Sequence, residues 1–309
     1  MMRIKRTIQI GIIILISFLN FNCSENLDIL PKYSDFKNDL ERKNLFNNVK
    51  SIELKKANIF NEKVEDYILV SKEDYSRNGK ITYQEFYDNF GEIEQRIKNK
   101  YENSNKIKTI SENLKLSTKS IEYNEYDEKN RCIFTKSNLN NTIIFSAKFE
   151  YDTLDNPIKQ IVIQNKDTSI NTVEYKYNKQ GKILLKKENY NSNKFLYNKA
   201  GKLIETISKS EYAGELKTTY KYDSRNRIKF ISQYQNGLIE RETKFDKYYN
   251  PISIKYYMNG KINKILKFEY KFDKNGNWIE KTGFLSENPI KTDKFIPIFM
   301  EKRKIKYYE

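Results

Sequence analysis

The sequence predicts an all-β protein made of repeated β-hairpins, and two observations support this prediction. One short phrase recurs along the 309-residue chain, and the segments between its copies alternate apolar with charged residues. The clearest copy is FDKNGNW, from Phe272 to Trp278. An aromatic residue opens the phrase, Gly or Asn stands four residues later, and an apolar residue follows two positions after that.

Ten copies of the phrase are present, which indicates a repeat architecture. From Tyr101 onward, the opening aromatics are 20 to 27 residues apart. Two copies, which begin at Tyr151 and Phe245, are interpreted as carrying one inserted residue. The positions that define the copies are Tyr75 and Gly79; Tyr87, Asp88 and Gly91; Tyr101 and Asn105; Tyr126, Asp127 and Asn130; Tyr151 and Asp152; Tyr177 and Gly181; Tyr197 and Gly201; Tyr222, Asp223 and Asn226; Phe245 and Asp246; and Phe272, Asp273 and Gly276.

Each copy is expected to form a tight turn between two strands. Asp or Asn followed by Gly or Asn tolerates the positive φ angles of such turns, and the flanking aromatic and β-branched residues favour strands. A second turn signal lies between copies, at Asn236-Gly237 and Asn259-Gly260. One repeat therefore holds two strands and two turns.

The strand before the last copy shows which side chains share a face. Leu266, Phe268 and Tyr270 alternate with Lys267 and Glu269, and residues two apart in a strand point the same way. The predicted architecture is an elongated antiparallel hairpin meander, a single sheet that curls or twists into a shell with an aromatic inner face. The charged last strand, residues 300–309, is expected to protect an edge of this sheet, because Lys and Arg discourage further pairing.

Residues 1–22 are predicted to be a signal peptide that directs export. A basic start precedes an apolar run from Ile8 to Leu19, and Cys23 follows. The run has the length of a secretory signal and is short for a membrane span. The segment is similar to a bacterial lipoprotein signal, with Cys23 as the lipidated residue, and an ordinary signal peptide or an uncleaved anchor is the alternative. The expected location is the outer membrane, on its periplasmic or cell-surface side.

Residues 23–48 are expected to form a tether and a short capping helix near 34–46. Ser34 can cap this helix, and Phe36 and Leu40 share one of its faces. One short helix cannot cover the whole sheet, so it is expected to plug the first end of the repeat domain. That domain spans residues 49–309, and its first strand is predicted at 49–56.

The composition limits the chemistry that this chain can perform. It contains no histidine, which removes His-based triads, His general bases and His metal ligands. The repeat Asp residues lie at predicted turns, where Asp bonds to its own backbone, so a protein without catalysis or cofactor is expected. The net charge of +16 can concentrate polyanions at the surface. The alternative is that the lysines only keep a large sheet soluble.

Two local features carry alternatives of their own. Cys132 stands in the apolar slot of its copy, which favours a small buried hydrophobe over a reactive thiol. The segment DYSRNGKITYQE also matches an EF-hand calcium loop, although its flanks have the pattern of strands. The residues at the ligand positions would be Asp74, Ser76, Asn78, Lys80 through its carbonyl, Thr82 and Glu85. Because the same residues obey the repeat phrase, a hairpin is the preferred interpretation and a weak calcium loop the alternative.

The phrase resembles the unit of the YD-repeat (Rhs-type) family, in which an aromatic-Asp pair precedes a Gly-Asn pair at this spacing. FDKNGNW is the copy that matches best. The chain also resembles small YD-repeat-like lipoproteins of Bacteroidetes-type bacteria, through NLFNNVKSIEL at 44–54, GNWIEKTGF at 276–284 and the pair Tyr307 and Tyr308. The resemblance implies a shell of strands and turns, and it leaves the ligand open.

The function expected from these observations is binding without catalysis. The chain is interpreted as a monomeric lipoprotein of the cell envelope, held to the membrane by its lipid. Its repeat scaffold would bind a glycan, a polyanion or another envelope protein. Nucleic acid is not expected as a partner, because an exported protein does not meet it. An immunity or inhibitor partner of a secreted toxin is the alternative.

Overall fold

In the described residues, twenty strands pair into one closed antiparallel barrel. The computed structural model describes residues 38–164, 167–286 and 294–309. Strand β1 pairs with β3 on one side and with the last strand, β21, on the other, and the two-residue β2 pairs with the end of β1. The strands are β1 (Val49–Phe60), β2 (Lys63–Val64), β3 (Ile68–Tyr75), β4 (Ile81–Tyr87), β5 (Ile93–Glu102), β6 (Asn105–Asn113), β7 (Thr118–Tyr126), β8 (Cys132–Leu139), β9 (Thr142–Tyr151), β10 (Pro157–Gln164), β11 (Asp167–Tyr177), β12 (Ile183–Glu188), β13 (Asn191–Tyr197), β14 (Leu203–Ser210), β15 (Gly214–Tyr222), β16 (Ile228–Gln235), β17 (Leu238–Phe245), β18 (Pro251–Met258), β19 (Lys261–Phe272), β20 (Trp278–Ser286) and β21 (Ile296–Tyr307).

The barrel shows that the expected all-β fold is right and that the expected open, elongated sheet is wrong. Strand β21 pairs with β1 from Val49 opposite Tyr307 to Asn58 opposite Phe299, so residues 300–309 do not form an edge. Alternation along a strand decides which face a side chain takes, but it does not decide whether the ends of a meander meet. In the closed barrel, β1 and β21 form hydrogen bonds with each other, so there is no open sheet edge for charged side chains to protect.

The two faces of the barrel differ in chemistry. Along β19, Lys267 and Glu269 are exposed, whereas Phe268 and Tyr270 are half-buried, as the alternation predicts. The face that carries Phe268 and Tyr270 is called the inner face, and the opposite one the outer face. The register of the strands places several buried polar residues on the inner face, so this face is not uniformly apolar. They include Ser71, Glu73, Thr135, Thr218 and Thr243.

In the described part of the helix expected near 34–46, only Asp39–Arg42 is helical, and this segment is called α1. Asn38 caps it, since its side-chain oxygen accepts a hydrogen bond from the Glu41 amide at 3.0 Å. Ser34, the cap expected from the sequence, lies outside the described residues. The chain leaves the helix soon after Arg42 because Asn44 adopts a left-handed φ of 53°. None of the described helical segments has the length and apolar composition of a membrane-spanning helix.

Residues 38–48, here called the plug, pack against one end of the barrel. The Leu40 amide donates to the Gly79 carbonyl at 3.3 Å. The Asn277 side chain accepts the Phe46 amide at 2.7 Å and donates to the Phe46 carbonyl at 2.9 Å. The buried cluster at this contact is Leu40, Leu45, Val49, Ile52, Tyr75 and Ile81. The plug therefore joins strands that are more than 190 residues apart in the chain.

Candidate functional site

Nine of the ten phrase copies lie at the same end of the barrel, because one repeat is two strands long. This end, called the turn end, also holds the plug. Its loops are 76–80, 103–104, 127–131, 152–156, 178–182, 198–202, 223–227, 246–250 and 273–277. The opposite end is called the far end, and its described loops are 61–67, 88–92, 114–117, 140–141, 189–190, 211–213, 236–237 and 259–260. The last two contain the second turn signals recognised in the sequence.

The residue after the aromatic caps its own loop, as the sequence predicts for the repeat Asp residues. In the loop of Tyr126, the Asp127 carboxylate accepts the amides of Lys129 at 3.0 Å and Arg131 at 2.9 Å. Asn130 stands in the left-handed position, with a φ of 62°. The same capping role falls to Ser76, Asp88, Asp152, Asn178, Asn198, Asp223, Asp246 and Asp273.

The copies at Tyr151 and Phe245 carry no inserted residue, so that interpretation is wrong. Asp155 and Tyr249 occupy the left-handed position of these loops, with φ angles of 62° and 61°. The following residues then keep the same register, and proline fills the apolar slot at 157 and 251. An insertion was expected because a bulky residue such as Tyr249 rarely adopts the left-handed conformation that this turn position requires.

Two other copies depart from the common arrangement. The copy at Tyr87 closes the same loop through Asp88, but it lies at the far end. The copy at Tyr101 forms a two-residue turn at Asn103 and Ser104, with φ angles of 49° and 69°. Asn105 is therefore the first residue of β6 and not a turn residue.

A β-bulge follows the turns of the repeat. Tyr126 pairs with Cys132 and its neighbour Glu125 with Phe134, which leaves Ile133 as the extra residue. Leu184 and Ile204 hold the same position in later copies. Ile133, Leu184 and Ile204 are exposed, so the bulges place apolar side chains on the surface near the turn end.

Tyrosine hydroxyls tie neighbouring turns together. The Tyr222 hydroxyl donates to the Leu203 carbonyl, which directly follows the preceding turn, at 2.7 Å. The equivalent bonds run from Tyr101 to Ile81, Tyr126 to Lys106, Tyr151 to Cys132 and Tyr197 to Ile183. Burial raises the pKa of the Tyr197 and Tyr222 hydroxyls, so they remain protonated donors. Phe245 and Phe272 stand at the same position and have no hydroxyl, so this bond belongs to some of the copies and not to all.

Basic side chains add a second set of links between turns. Lys202 Nζ donates to the Asn226 carbonyl at 2.8 Å and lies 4.9 Å from the centroid of the Tyr222 ring. One repeat earlier, Lys182 donates to the Gly201 carbonyl. A cation over an aromatic face is attracted by the ring quadrupole. These lysines therefore hold the turns in place.

An open groove of about 550 Å³ lies between the turns 178–182 and 198–202 and is called the basic groove. Lys179 and Lys199, both exposed, line it together with the exposed apolar side chains Leu184, Leu196 and Ile204. No acidic residue is among the described residues that line the groove. The two adjacent turns begin with Asn178 and Asn198, where most other copies have Asp, so no cap carboxylate offsets the lysines here.

In two other turns, basic side chains are paired with carboxylates of the turns. Arg131 lies between two carboxylates, 2.6 Å from Asp127 and 2.8 Å from Asp155. Arg227 is likewise 2.6 Å from Asp223. The turns 178–182 and 198–202 each carry two lysines and no acid, and they are consecutive; the turn 76–80 also has two basic residues and no acid, but its neighbour 103–104 carries no charge.

Most residues that line the basic groove, Lys179 and Lys199 among them, were not recognised from the sequence. The sequence singled out Tyr177, Gly181, Tyr197 and Gly201 as turn residues; in the structure, Tyr177 and Tyr197 end the strands before the two turns, and Gly181 and Gly201 lie within these turns. The signal for the groove was the change from Asp to Asn in the adjacent copies NKQGK and NKAGK. Leu184, Leu196 and Ile204 could not be recognised as exposed, because their exposure depends on the bulges.

The segment considered as a calcium loop is a hairpin between β3 and β4. The Ser76 hydroxyl accepts the Lys80 amide at 3.1 Å, and the Thr82 hydroxyl donates to the Asp74 carbonyl at 3.2 Å. Glu85 is opposite Lys72 in the ladder and accepts the hydroxyls of Tyr83 and Tyr87, both at 2.6 Å. In the described ranges, no group of three or more His, Cys, Asp or Glu residues is placed to hold a metal ion.

A charged cluster on the inner face joins the plug to the barrel. The buried Glu73 carboxylate accepts the Tyr75 hydroxyl at 2.6 Å and pairs with Lys43 of the plug. Burial raises the pKa of Glu73, but Lys43 and the hydrogen bonds outweigh burial and hold the pKa below its usual value. Arg303 lies over the Trp278 ring, 3.5 Å from its centroid. Because Glu73 binds both Tyr75 and Lys43, we interpret this cluster as structural.

The two cysteines fall in different parts of the chain. Cys132 is buried with Ala147 and Phe149, in agreement with its interpretation as a small hydrophobe. Cys23 lies outside the described residues, so its lipidation stays a prediction.

No protein-family model matches the sequence, and no curated protein matches it. Among solved structures, the chain is similar to TcdB2-TccC3, with 9% identity and a TM-score of 0.38, over 76% of this chain and 14% of that one. A porin-like protein from Bacteroides uniformis is 11% identical with a TM-score of 0.36, and the match covers 84% of this chain and 98% of that one. A porin-like protein from Bacteroides vulgatus is 15% identical with a TM-score of 0.24, over 82% and 97% of the two chains. These similarities are weak, and membership of the YD-repeat family remains a prediction.

Proposed function

We propose that this protein is a non-catalytic scaffold of the cell envelope that binds polyanionic glycan chains at the basic groove. One observation carries the proposal: two exposed lysines, Lys179 and Lys199, stand on consecutive turns beside apolar surface without an acid among the residues lining the groove. Sugar rings have apolar faces that pack on such surface, while acidic substituents pair with ammonium groups. The groove is open to solvent, so a ligand longer than the groove can extend beyond it.

The turns are built to hold the two lysines at a fixed spacing. Lys182 and Lys202 bind the neighbouring turns, and the Tyr197 hydroxyl donates to the Ile183 carbonyl at 3.0 Å. A site that is rigid before binding loses little conformational entropy when a ligand arrives. Arg225, exposed on the next turn, extends the positive charge along the rim. We infer a binding site that follows three consecutive turns.

The double variant Lys179→Glu/Lys199→Glu is expected to bind a sulfated glycan about tenfold more weakly, since each exposed ion pair contributes up to about 1 kcal/mol. The measurement is fluorescence anisotropy with labelled dextran sulfate. Uncharged dextran, which has the same sugar backbone, is the ligand control. Raised salt is expected to weaken the binding of dextran sulfate by the wild-type protein.

Lys274→Glu is the matched protein control for this experiment. Lys274 is exposed and follows Asp273, so it occupies the turn position of Lys179 and Lys199 in a turn that carries an acid. Its reversal is expected to leave affinity almost unchanged. The control reverses one lysine and the groove variant two, so a control that loses half as much binding free energy as the groove variant would show that dextran sulfate senses only net charge, and the proposed site would be wrong.

We propose the envelope as the location on the evidence of the N-terminal sequence, which lies outside the described residues. A basic start, an apolar run from Ile8 to Leu19 and Cys23 together suit an exported lipoprotein. In cells fed a labelled fatty acid, the wild-type chain is expected to take up label and Cys23→Ala to take up none. Label retained by Cys23→Ala would exclude this anchor.

A further inference from the structure

The described hairpins at the far end of the barrel expose apolar side chains. Each described hairpin at this end has at least one large apolar residue exposed at or near its tip. Phe90 is 90% exposed, Tyr212 81% and Leu116 70%. The set of these residues is called the apolar ring, and its most exposed members include Phe60, Phe90, Leu116, Tyr190, Tyr212 and Met258.

The turn end has no comparable ring in the described residues. The large apolar side chains exposed at or near its turns are less exposed, none above 49%, and they are Phe46, Ile133, Leu154, Leu184, Leu196, Ile204 and Tyr249. Scattered exposed hydrophobes are ordinary on protein surfaces, but a concentration of them marks a contact surface. The difference between two ends built from the same hairpins therefore points to a partner at the far end.

We propose that the apolar ring inserts into the surface of an electrically neutral phospholipid bilayer. The tips are spread around a wide closed barrel, so a partner must offer apolar contact over a broad, even area. A bilayer does this without matching the position of each tip. Aromatic residues such as Phe90 and Tyr212, mixed with aliphatic ones, suit the boundary between headgroups and acyl chains.

The strands limit how far the barrel enters the bilayer. Behind the tips, the outer face carries exposed charged residues such as Lys119 and Lys209, and burying these in hydrocarbon is costly. Neighbouring tips also support one another, since the rings of Tyr190 and Tyr212 are 5.7 Å apart at their centroids. Contact is therefore shallow and confined to the far-end loops.

The charge of the far-end loops favours a neutral bilayer over an anionic bilayer or a second copy of the chain. These loops contain more acidic than basic residues. The basic residue Lys115 forms an ion pair with Asp88 at 2.8 Å. The acidic residues are Glu62, Glu65, Asp66, Asp88, Glu92 and Glu211. Acidic loops are repelled by anionic lipid and by the far end of a second copy.

The length of the chain before the plug permits this contact together with the proposed anchor. Cys23 and Asn38 are 15 residues apart, a stretch that reaches at most about 50 Å. The longest strands have 12 residues, which rise about 40 Å. A lipid on Cys23 and the apolar ring can thus occupy the same bilayer.

The test places an environment-sensitive fluorophore on the full chain and measures its surroundings on phosphatidylcholine vesicles. Tyr212→Cys carries the label at the far end, and Leu154→Cys carries it at the turn end as the matched control. Both are made with Cys23→Ala and Cys132→Ala to leave one labelled site. We expect blue-shifted emission and quenching by brominated lipid at 212, and neither at 154.

A second variant and a change of lipid make the test sharper. Phe90→Ser/Leu116→Ser is expected to reduce the response at 212 severalfold, because both residues belong to the ring. Added phosphatidylglycerol is expected to reduce it as well. Three outcomes would overturn the proposal: no response at 212, the same response at 154, or a shift at 212 without vesicles that grows with protein concentration. The last would identify a second copy of the chain as the occupant.

Discussion

Asn277→Ala is expected to lower the free energy of unfolding by about 2–4 kcal/mol, because it leaves several buried groups without a partner. The Asn277 side chain is 1% exposed. It accepts the Phe46 amide at 2.7 Å and donates to the Phe46 carbonyl at 2.9 Å and to the Tyr307 hydroxyl at 2.8 Å. One residue therefore connects the plug, the last turn and the strand that closes the barrel. Urea denaturation followed by circular dichroism measures the loss.

Asn250→Ala is the control for this prediction. Asn250 is also buried and occupies the same turn position, but its side-chain amide donates to Asp246 of its own turn at 3.1 Å. We expect a loss of about 1 kcal/mol. If the two variants lose the same stability, the contact between Asn277 and the plug does not contribute, and the plug is not a part of the folded unit.

Glu73→Ala is the second prediction with a large effect, at about 3 kcal/mol, since it leaves the buried Tyr75 hydroxyl without its acceptor. Glu73 also accepts Gln84 Nε2 at 3.1 Å and pairs with Lys43. Glu269→Ala, at an exposed position on the outer face of β19, is the control and is expected to change little. Equal effects of the two substitutions would contradict the structural role of the cluster.

The same carboxylate makes stability depend on pH in a defined direction. The pKa of Glu73 is lower in the folded protein than its usual value of 4.5. A carboxylate with a lowered pKa stabilises the fold fully above the unfolded pKa, and this stabilisation is lost as the pH falls through the folded pKa. The stability difference between the wild-type protein and Glu73→Gln is therefore expected to be largest at neutral pH and to shrink below about pH 4.5.

The sequence was sufficient for the local structure of the repeat. The aromatic, acid and glycine positions predict turns, and the structure places turns at all ten copies, with Asp or Asn capping the loop in most of them. Asn-Gly pairs such as Asn236-Gly237 are likewise turns. These predictions succeed because the preference for positive φ resides in a few adjacent residues.

Closure and the basic groove could not be predicted, because both depend on contacts between distant residues. The pairing of Val49 with Tyr307 joins the two ends of the chain, and no alternation within a strand reports it. The exposure of Leu184 and Ile204 depends on bulges, which add a residue without a local signal. The buried polar residues of the inner face, such as Glu73, also break the pattern of one purely apolar face.

Cross-linking between β1 and β21 tests the closed barrel most directly, and both proposed surfaces depend on that barrel. Glu53 is opposite Lys304 in the ladder, so cysteines at these positions should be joined by a short bismaleimide within one chain. Glu205 and Thr219, opposite each other on the consecutive strands β14 and β15, provide the positive control. Both pairs are made with Cys23→Ala and Cys132→Ala. We predict an intrachain product from both pairs at equal rates. A product from 205 and 219 with none from 53 and 304 would contradict closure.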